Sequence, residues 1–229
     1  MDKTKLEKEL SSYMGRLLRE NFGRGPGGVF TVISPPFITV YFKAFLLPLE
    51  KALLDKGQVI YVQKTRDLLM ETLIEEIKGY IKLNIHVDIE EFYYDWNLDL
   101  QSGMFIMLHS DKENIINHSY KNQKLLHKEV EEVTRKAEKF PQDVSSYLLD
   151  ERTLLIIREG IMVNVEKELV QLGFEENLTL AKRNLEKRLL HEHSQSLEVI
   201  LDSKVTDVLV AWDFHKDKST ILLILNPTS

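Results

Sequence analysis

The chain has 229 residues, no cysteine, 43% hydrophobic residues and a formal net charge of −6. The missing cysteine excludes disulfides and thiolate metal sites, and the acidic balance argues against a protein that binds duplex nucleic acid, which needs a basic face for phosphates. The length suits two domains of about 110 residues. The start of the chain lacks the apolar core of a signal peptide, so we expect a cytoplasmic protein. The most apolar run, residues 40–49, is too short to span a bilayer, so we expect no transmembrane segment.

The chain is predicted to begin with a helix from residue 3 to about residue 22, because apolar residues recur at spacings of three and four. A glycine-rich loop, residues 23–28, follows and is typical of a helix stop. A phosphate site is the alternative, but phosphate loops precede a helix, where the dipole attracts anions. We favour the helix stop and keep four candidate binding residues, which are Gly23, Arg24, Gly25 and Pro26.

The next elements alternate between strand and helix patterns. Residues 29–34 and 37–45 are predicted strands, residues 48–57 a short helix that begins at Pro48, and residues 64–84 a long helix. Residues 86–96 and 104–109 are predicted to form a closing hairpin. This unit is thus helix, two strands, two helices and two strands.

The same order occurs twice. Residues 37–57 align without a gap on residues 153–173, with Glu50 on Glu166, Trp96 on Trp212 and a constant offset of 116 residues. We therefore predict an α+β fold of two tandem α-β-β-α-α-β-β units, each a four-stranded, mainly antiparallel sheet covered by helices. The predicted domains are residues 1–112 and 120–229, and the polar residues 110–124 are the expected boundary and most mobile internal segment.

In the second unit the predicted helices are residues 125–139, 164–172 and 178–200. The predicted strands are residues 144–149, 153–159, 205–214 and 220–225. Asn164 stands where Pro48 stands in the first unit, and we expect it to cap the same short helix by its side chain.

No catalytic set, metal site or cofactor motif is found in this pattern. His191 and His193 cannot share an ion on one helix, because residues two apart point about 200° apart. Aspartates near the two final hairpins are common turn residues; they are Asp95, Asp99, Asp213 and Asp217. Trp96 and Trp212 are predicted to be structural packing anchors, since no basic groove accompanies them.

Arg66 and Lys182 occupy equivalent positions near the starts of the two long helices. A cation there opposes the helix dipole. Glu50 and Glu166 are equivalent to each other and are the predicted partners of these cations; solvated surface charges are the alternative. Arg66 is also kept as a candidate binding residue.

The order of elements, together with several short motifs, resembles the MpsC family, named for a sodium-translocating membrane-potential-generating system. The motifs are Gly23-Arg24-Gly25-Pro26, Leu49-Glu50-Lys51-Ala52-Leu53, Arg66-Asp67-Leu68 and the Trp96 hairpin. The second unit keeps Glu166-Lys167 and Trp212 but lacks the glycine loop. The resemblance implies a small bacterial protein associated with a bicarbonate-importing membrane system built from a channel subunit and a large zinc-bearing partner.

We therefore expect a non-enzymatic cytosolic accessory or regulatory protein that binds a protein partner, with residues 23–28 and Arg24 touching that partner. This partner would hold the protein at the inner face of the membrane. The alternative is a sensor that binds a small anion or nucleotide in the cleft between the units, where pockets are common. An enzyme is the third and least favoured hypothesis.

Overall fold

The computed structural model describes residues 2–109 and 119–227. The chain divides into two compact units, one on each side of residues 110–118. Each unit has the predicted α+β architecture, with a four-stranded antiparallel sheet and helices. Among the described helices, none is both long and apolar enough to cross a membrane.

Unit 1 has the predicted element order, and its sheet has the strand order β1-β2-β4-β3 with antiparallel neighbours. The elements are α1 (Lys3–Phe22), β1 (Gly28–Ser34), β2 (Phe37–Lys43), α2 (Pro48–Leu54), α3 (Val59–Ile85), β3 (Ile89–Asn97) and β4 (Ser102–His109). Helix α3 begins earlier than the predicted residue 64. Its first turn is rich in β-branched residues, which disguise a helix start in the sequence.

Unit 2 repeats this topology with the strand order β5-β6-β8-β7. The elements are α4 (Gln123–Ala137), β5 (Asp143–Asp150), β6 (Thr153–Glu159), α5 (Asn164–Gln171), α6 (Glu175–Glu192), α7 (Ser194–Leu201), β7 (Ser203–Asp213) and β8 (Lys218–Pro227). Most of the predicted boundary segment lies outside the described residues. The last residues of that predicted segment are described, and they differ from the prediction, because α4 already begins at Gln123.

The predicted single helix over residues 178–200 is wrong, because the chain breaks at His193 between α6 and α7. The equivalent residue in the continuous helix α3 is Ile77, which is fully buried in the core. An imidazole at such a position would lose its hydrogen bonds. The His193 ring instead contacts α4, with Nδ1 2.6 Å from Glu129 Oε1 and Nε2 2.6 Å from Lys136 Nζ.

One face of each sheet packs against the helices. In unit 1 the alternating residues of β2 and β4 meet the apolar stripes of α1 and α3, and this core includes Met14, Leu18, Ile38, Val40, Met70, Leu73, Phe105 and Met107. The corresponding core of unit 2 includes Leu126, Val130, Leu154, Ile156, Leu190, Leu197, Ile221 and Leu223. Most of these core positions are equivalent in the two units, but Thr134 and Glu186 stand in unit 2 where Leu18 and Met70 pack in unit 1.

The two short helices begin in the same way. Pro48 and Asn164 are the first helical residues of α2 and α5, and the preceding Leu47 and Val163 are the N-caps. The prediction that Asn164 caps α5 by its side chain is wrong, because the N-cap is Val163, which has no side-chain oxygen to accept a backbone amide. The glutamate three residues after the N-cap accepts the N-cap amide instead: Leu47 N donates to Glu50 Oε2 over 2.9 Å, and Val163 N donates to Glu166 Oε2 over 3.0 Å.

The backbone also repeats at its left-handed residues. Ala44 (φ 55°) is equivalent to Gly160 (φ 68°), and Gly57 (φ 71°) is equivalent to Gly173 (φ 80°). A left-handed conformation costs an L-residue about 1–2 kcal/mol, and glycine avoids this cost. Glycine in turn costs about 0.5–1 kcal/mol, because its unfolded state has more conformational freedom to lose. Unit 1 therefore carries strain at Ala44 that unit 2 avoids.

We expect Ala44→Gly to stabilise unit 1 by about 0.5–1 kcal/mol and Gly160→Ala to destabilise unit 2 by about 1 kcal/mol. Urea unfolding of the two variants, followed by hydrogen exchange in β2 and β6, measures both changes. Shifts of the two variants in the same direction would contradict this account.

Candidate functional site

The turn between α2 and α3, which we call the unit 1 corner (residues 47–68), is held by a buried ion pair. Arg66 Nε and Nη2 donate to the two carboxylate oxygens of Glu50 over 2.7 and 2.6 Å, and Nη2 also donates to Phe45 O over 3.0 Å. The predicted pairing of Arg66 with Glu50 is therefore confirmed. Arg66 lies about two turns inside α3 rather than at its start, so opposition to the helix dipole is not the reason for the pair.

Three aromatic rings enclose the Arg66 guanidinium. Its central carbon lies 4.8 Å from the ring centre of Trp96, 4.9 Å from that of Phe45 and 6.0 Å from that of Phe22. The faces of aromatic rings attract cations, most strongly where water is excluded. The Arg66 side chain is 0% exposed, so it has no surface for a partner, and we assign it to positioning the corner.

The equivalent unit 2 corner (residues 163–184) uses lysine instead. Lys182 Nζ donates to Glu166 Oε1 over 2.7 Å and lies 3.6 Å from the ring centre of Trp212. This pairing is also as predicted. Lys182 has in addition a second carboxylate, Glu138 Oε1, at 2.6 Å.

The surroundings of the two corners differ in kind, although their positions are equivalent. In unit 1 the positions around Trp96, apart from the Arg66–Glu50 pair, are aromatic or apolar. At an offset of 116 residues, unit 2 replaces them with charged or polar residues: Glu138 for Phe22, Arg158 for Phe42, Glu186 for Met70 and Ser219 for Gly103. Trp96 is thus a packing anchor, as predicted, whereas Trp212 lies on an ionic cluster.

We call the cluster of Glu138, Arg158, Glu166, Lys182 and Glu186 the unit 2 network. Arg158 and Glu186 form its centre. Arg158 Nη2 donates to Glu186 Oε2, Nη1 donates to Thr134 Oγ1 over 3.0 Å, and Nε donates to Ser219 Oγ over 3.1 Å. Trp212 Nε1 donates to the other oxygen of Glu186 over 2.7 Å. Arg158 and Glu186 are 1% and 2% exposed, so the centre of the network lies in the interior of unit 2.

Gly103 and Ser219 show why these positions change together. A Cβ at Gly103 would lie 2.6 Å from Phe42 Cζ and 2.8 Å from Trp96 Cε3, so the aromatic packing of unit 1 requires glycine there. In unit 2 an arginine replaces Phe42, and the hydroxyl of Ser219 binds it. Each residue is suited to its own set of neighbours.

Burial and, second, the nearby Glu186 carboxylate raise the pKa of Glu138 to about 8, against the opposing charges of Lys182 and Arg158. Asp217, on the hairpin turn, shows the opposite balance. Burial raises its pKa, but the amides of Met162 and Ile161 and the Lys167 ammonium bind the carboxylate and lower its pKa overall. The interpretation as an ordinary turn aspartate is therefore wrong for Asp217, which binds a segment distant in sequence, whereas Asp213 does hold its own turn by accepting from Lys216 N over 3.0 Å.

A serine and a histidine also meet in unit 2. Ser146 Oγ lies 2.7 Å from His127 Nε2 and 2.6 Å from the hydroxyl of Tyr120. Burial raises the pKa of Tyr120 to about 12 and lowers that of His127. Ser146 is buried and its hydroxyl is already engaged by both neighbours, so the arrangement presents no accessible nucleophile.

The glycine loop of unit 1 is a helix stop, as the sequence predicts. Gly23 is the left-handed C-cap of α1 with φ 76°, and Arg24 is exposed. Gly25 does not take a positive φ. It is needed for a close approach, because a Cβ there would lie 3.2 Å from Gly15 O. A binding role of this loop and of Pro26 stays a prediction.

Metal binding has no support in the geometry. Within residues 2–109 and 119–227, no three histidine, aspartate or glutamate side chains converge in a way that could hold a metal ion. His191 and His193 do not share a site, since His193 binds α4.

The unit 1 corner also presents apolar side chains to solvent. Tyr61 and Leu68 are 64% and 65% exposed, and Leu49 and Ile60 are exposed as well. Tyr61 and Leu68 are seven residues apart and so lie on the same side of α3, opposite the buried stripe. We call these four side chains the corner surface. The sequence periodicity does not indicate this surface, because the predicted helix begins at residue 64 and so leaves out residues 59–63.

The chain matches the family model described as "Na+-translocating membrane potential-generating system (MpsC)" twice, over residues 2–110 and 120–227. The two matches coincide with the two units. No curated protein and no solved structure matches the chain.

Proposed function

Because this chain belongs to the MpsC family of the Na+-translocating membrane potential-generating system, in two tandem copies, we propose that it is a non-enzymatic accessory protein that binds a subunit of a bacterial membrane transport system for cations and bicarbonate. In this proposal it acts at the cytoplasmic face of the membrane and is held there by its protein partner. The observation that carries the proposal is the corner surface of unit 1.

Large exposed apolar side chains on one face commonly mark a protein-binding surface. Tyrosine at the centre of such a surface is a frequent source of binding energy, because its ring is large and loses little rotamer freedom. Ile60, Tyr61 and Leu68 occupy one side of the first turns of α3. An apolar helix or strand of a partner could bury them together.

The buried Arg66–Glu50 pair supports this function by fixing the corner before a partner arrives. Glu50 joins the start of α2 to α3, since it binds Leu47 N as well as Arg66. A surface on a rigid support loses less entropy when it binds. The ion pair thus has a role in binding although it touches no partner.

Unit 2 differs at three of the four corner-surface positions; the fourth, Leu49, has an exposed apolar equivalent in Val165. The residues equivalent to Ile60, Tyr61 and Leu68 are Glu176, Asn177 and Asn184, so the apolar side of α3 has no counterpart on α6. Unit 1 is therefore the proposed binding unit.

We expect Tyr61→Glu and Leu68→Glu each to weaken association with the transport subunits at least about tenfold, because each places a charge in an apolar contact. Binding to purified, detergent-solubilised transport subunits measures the effect. Leu83→Glu, on the same helix and 76% exposed, is the matched control and should bind as the unmodified chain does.

A photo-cross-linking residue at position 61 should form an adduct with a transport subunit, whereas one at position 177, its equivalent in unit 2, should not. Arg24→Ala tests the glycine loop in the same assay. If Arg24→Ala abolishes binding while Tyr61→Glu and Leu68→Glu do not affect it, the partner binds at residues 23–28 and the corner surface is not the site.

A small-ligand sensor is the alternative function, and it predicts a different result. Bicarbonate or a nucleotide would then raise the melting temperature of the chain by mass action. An increase with either ligand, together with no binding to the transport subunits, would replace the proposed function by the sensor.

A further inference from the structure

The unit 2 network has an unequal number of opposite charges. It contains three carboxylates, Glu138, Glu166 and Glu186, and two cations, Arg158 and Lys182. All five side chains are nearly or fully removed from solvent. With every group ionised, the network would hold one uncompensated negative charge, which is strongly unfavourable in a protein interior.

The hydrogen bonds identify the carboxylate that is least well compensated. Glu186 binds both Arg158 and the indole of Trp212, and Glu166 binds both Lys182 and the amide of Val163. Glu138 has only the shared lysine.

Glu138 Oε2 is buried and has no hydrogen-bond partner among the described residues, and the side chain is 2% exposed. The charged groups facing it come from two elements: Lys182 and Glu186 lie on α6, and Arg158 lies on β6. Glu166 on α5 faces it through the shared lysine. A proton on Oε2 would remove the excess charge and leave the bond to Lys182 in place.

We propose that the unit 2 network is a proton-binding site in which the Glu138 carboxylate takes up one proton from solvent and becomes a neutral carboxylic acid. Unit 1 has no such site, since Phe22 occupies the equivalent position. The proposal does not depend on the proposed function of the corner surface.

The raised pKa of Glu138, about 8, agrees with this geometry and sets the direction of the pH effect. The carboxyl of an unfolded chain has a pKa of about 4.3. Between that value and about 8 the folded unit holds a proton that the unfolded unit has released. The stabilisation of unit 2 is therefore fully present below about pH 4.3 and is lost as the pH rises through about 8.

The two tryptophans allow a direct test in the full chain. Trp212 Nε1 donates to Glu186 and its ring contacts Lys182, whereas Trp96 lies in unit 1. We expect the indole N–H resonance of Trp212 to titrate with a midpoint near pH 8 and that of Trp96 to stay constant. In Glu138→Gln, which keeps the shape of the side chain, the titration of Trp212 should disappear.

Hydrogen exchange gives an independent readout of stability. After correction for intrinsic exchange, the opening equilibrium constant of α6 should rise up to about tenfold per pH unit from about pH 6 to about pH 8, and that of α3 should not. Glu138→Gln should abolish this slope. Glu132→Gln, at an exposed carboxylate on α4, the helix that Glu138 directly follows, is the matched control and should keep this slope.

Infrared spectra of the unmodified chain at about pH 6.5 should contain the carbonyl band of a buried carboxylic acid, because most Glu138 is then protonated. This measurement remains informative if Glu138→Gln folds poorly. The proposal is overturned if the Trp212 titration is absent in the unmodified chain, has a midpoint below about pH 6, or persists unchanged in Glu138→Gln.

Discussion

Replacing Arg66 by methionine should lower the free energy of unfolding of unit 1 by about 3–5 kcal/mol, since removing one member of a buried ion pair leaves an uncompensated charge. Glu50 would keep only the amide of Leu47 as a hydrogen-bond donor among the contacts described. The guanidinium contacts with Trp96 and Phe45 would also be lost. Urea unfolding measures the loss, and hydrogen exchange in α3 locates it in unit 1.

The double variant Arg66→Met with Glu50→Leu is the control. Because it removes both charges, it should recover a large part of the loss, even though the bond to Leu47 N disappears. A double variant no more stable than Arg66→Met alone would show that the cost arises from packing rather than from the buried carboxylate.

Replacing Arg158 by methionine should destabilise unit 2 by a similar amount, about 3–5 kcal/mol. Glu186 would then keep Trp212 Nε1 as its remaining donor, in a network that already has one carboxylate in excess. The same unfolding and exchange experiments apply, with α6 as the reporter and α3 as the internal reference.

Introducing the equivalent unit 1 residues into unit 2 tests whether the cost of Arg158→Met comes from the charges that remain. The triple variant Arg158→Phe, Glu186→Met and Ser219→Gly should be more stable than Arg158→Met, because it replaces the charges with an apolar set that already packs at the equivalent positions of unit 1. Trp212 loses its acceptor in this variant, at a cost of about 1 kcal/mol. If the triple variant is the less stable of the two, the two interiors are not interchangeable.

The repeat made much of the fold predictable from the sequence. One ungapped offset carries the bounds of β2 onto those of β6 and the start of α2 onto that of α5. It also indicated the ion pairs, because Glu50 and Arg66 recur as Glu166 and Lys182. Two opposite charges that recur together need a common structural reason, and their pairing across the corner is that reason.

The unit 2 network was not predictable from periodicity. Glu138 directly follows α4 and Glu186 lies on α6, two helices rich in glutamate and lysine, where a charged residue ordinarily faces solvent. Their burial becomes visible only when each is compared with the apolar residue at the equivalent position, Phe22 or Met70. The break at His193 has the same origin, since a helical pattern does not reveal which of its positions is fully enclosed.

The different interiors of the two units also bear on how a duplicated chain folds. Tandem repeats can exchange elements and form hybrid units. If β6 paired within the sheet of unit 1, Arg158 would be buried beside Met70, where no glutamate compensates it. Such a hybrid would carry an unpaired charge that costs several kcal/mol. The aromatic and ionic interiors thus direct each strand to its own sheet and disfavour strand exchange between the repeats.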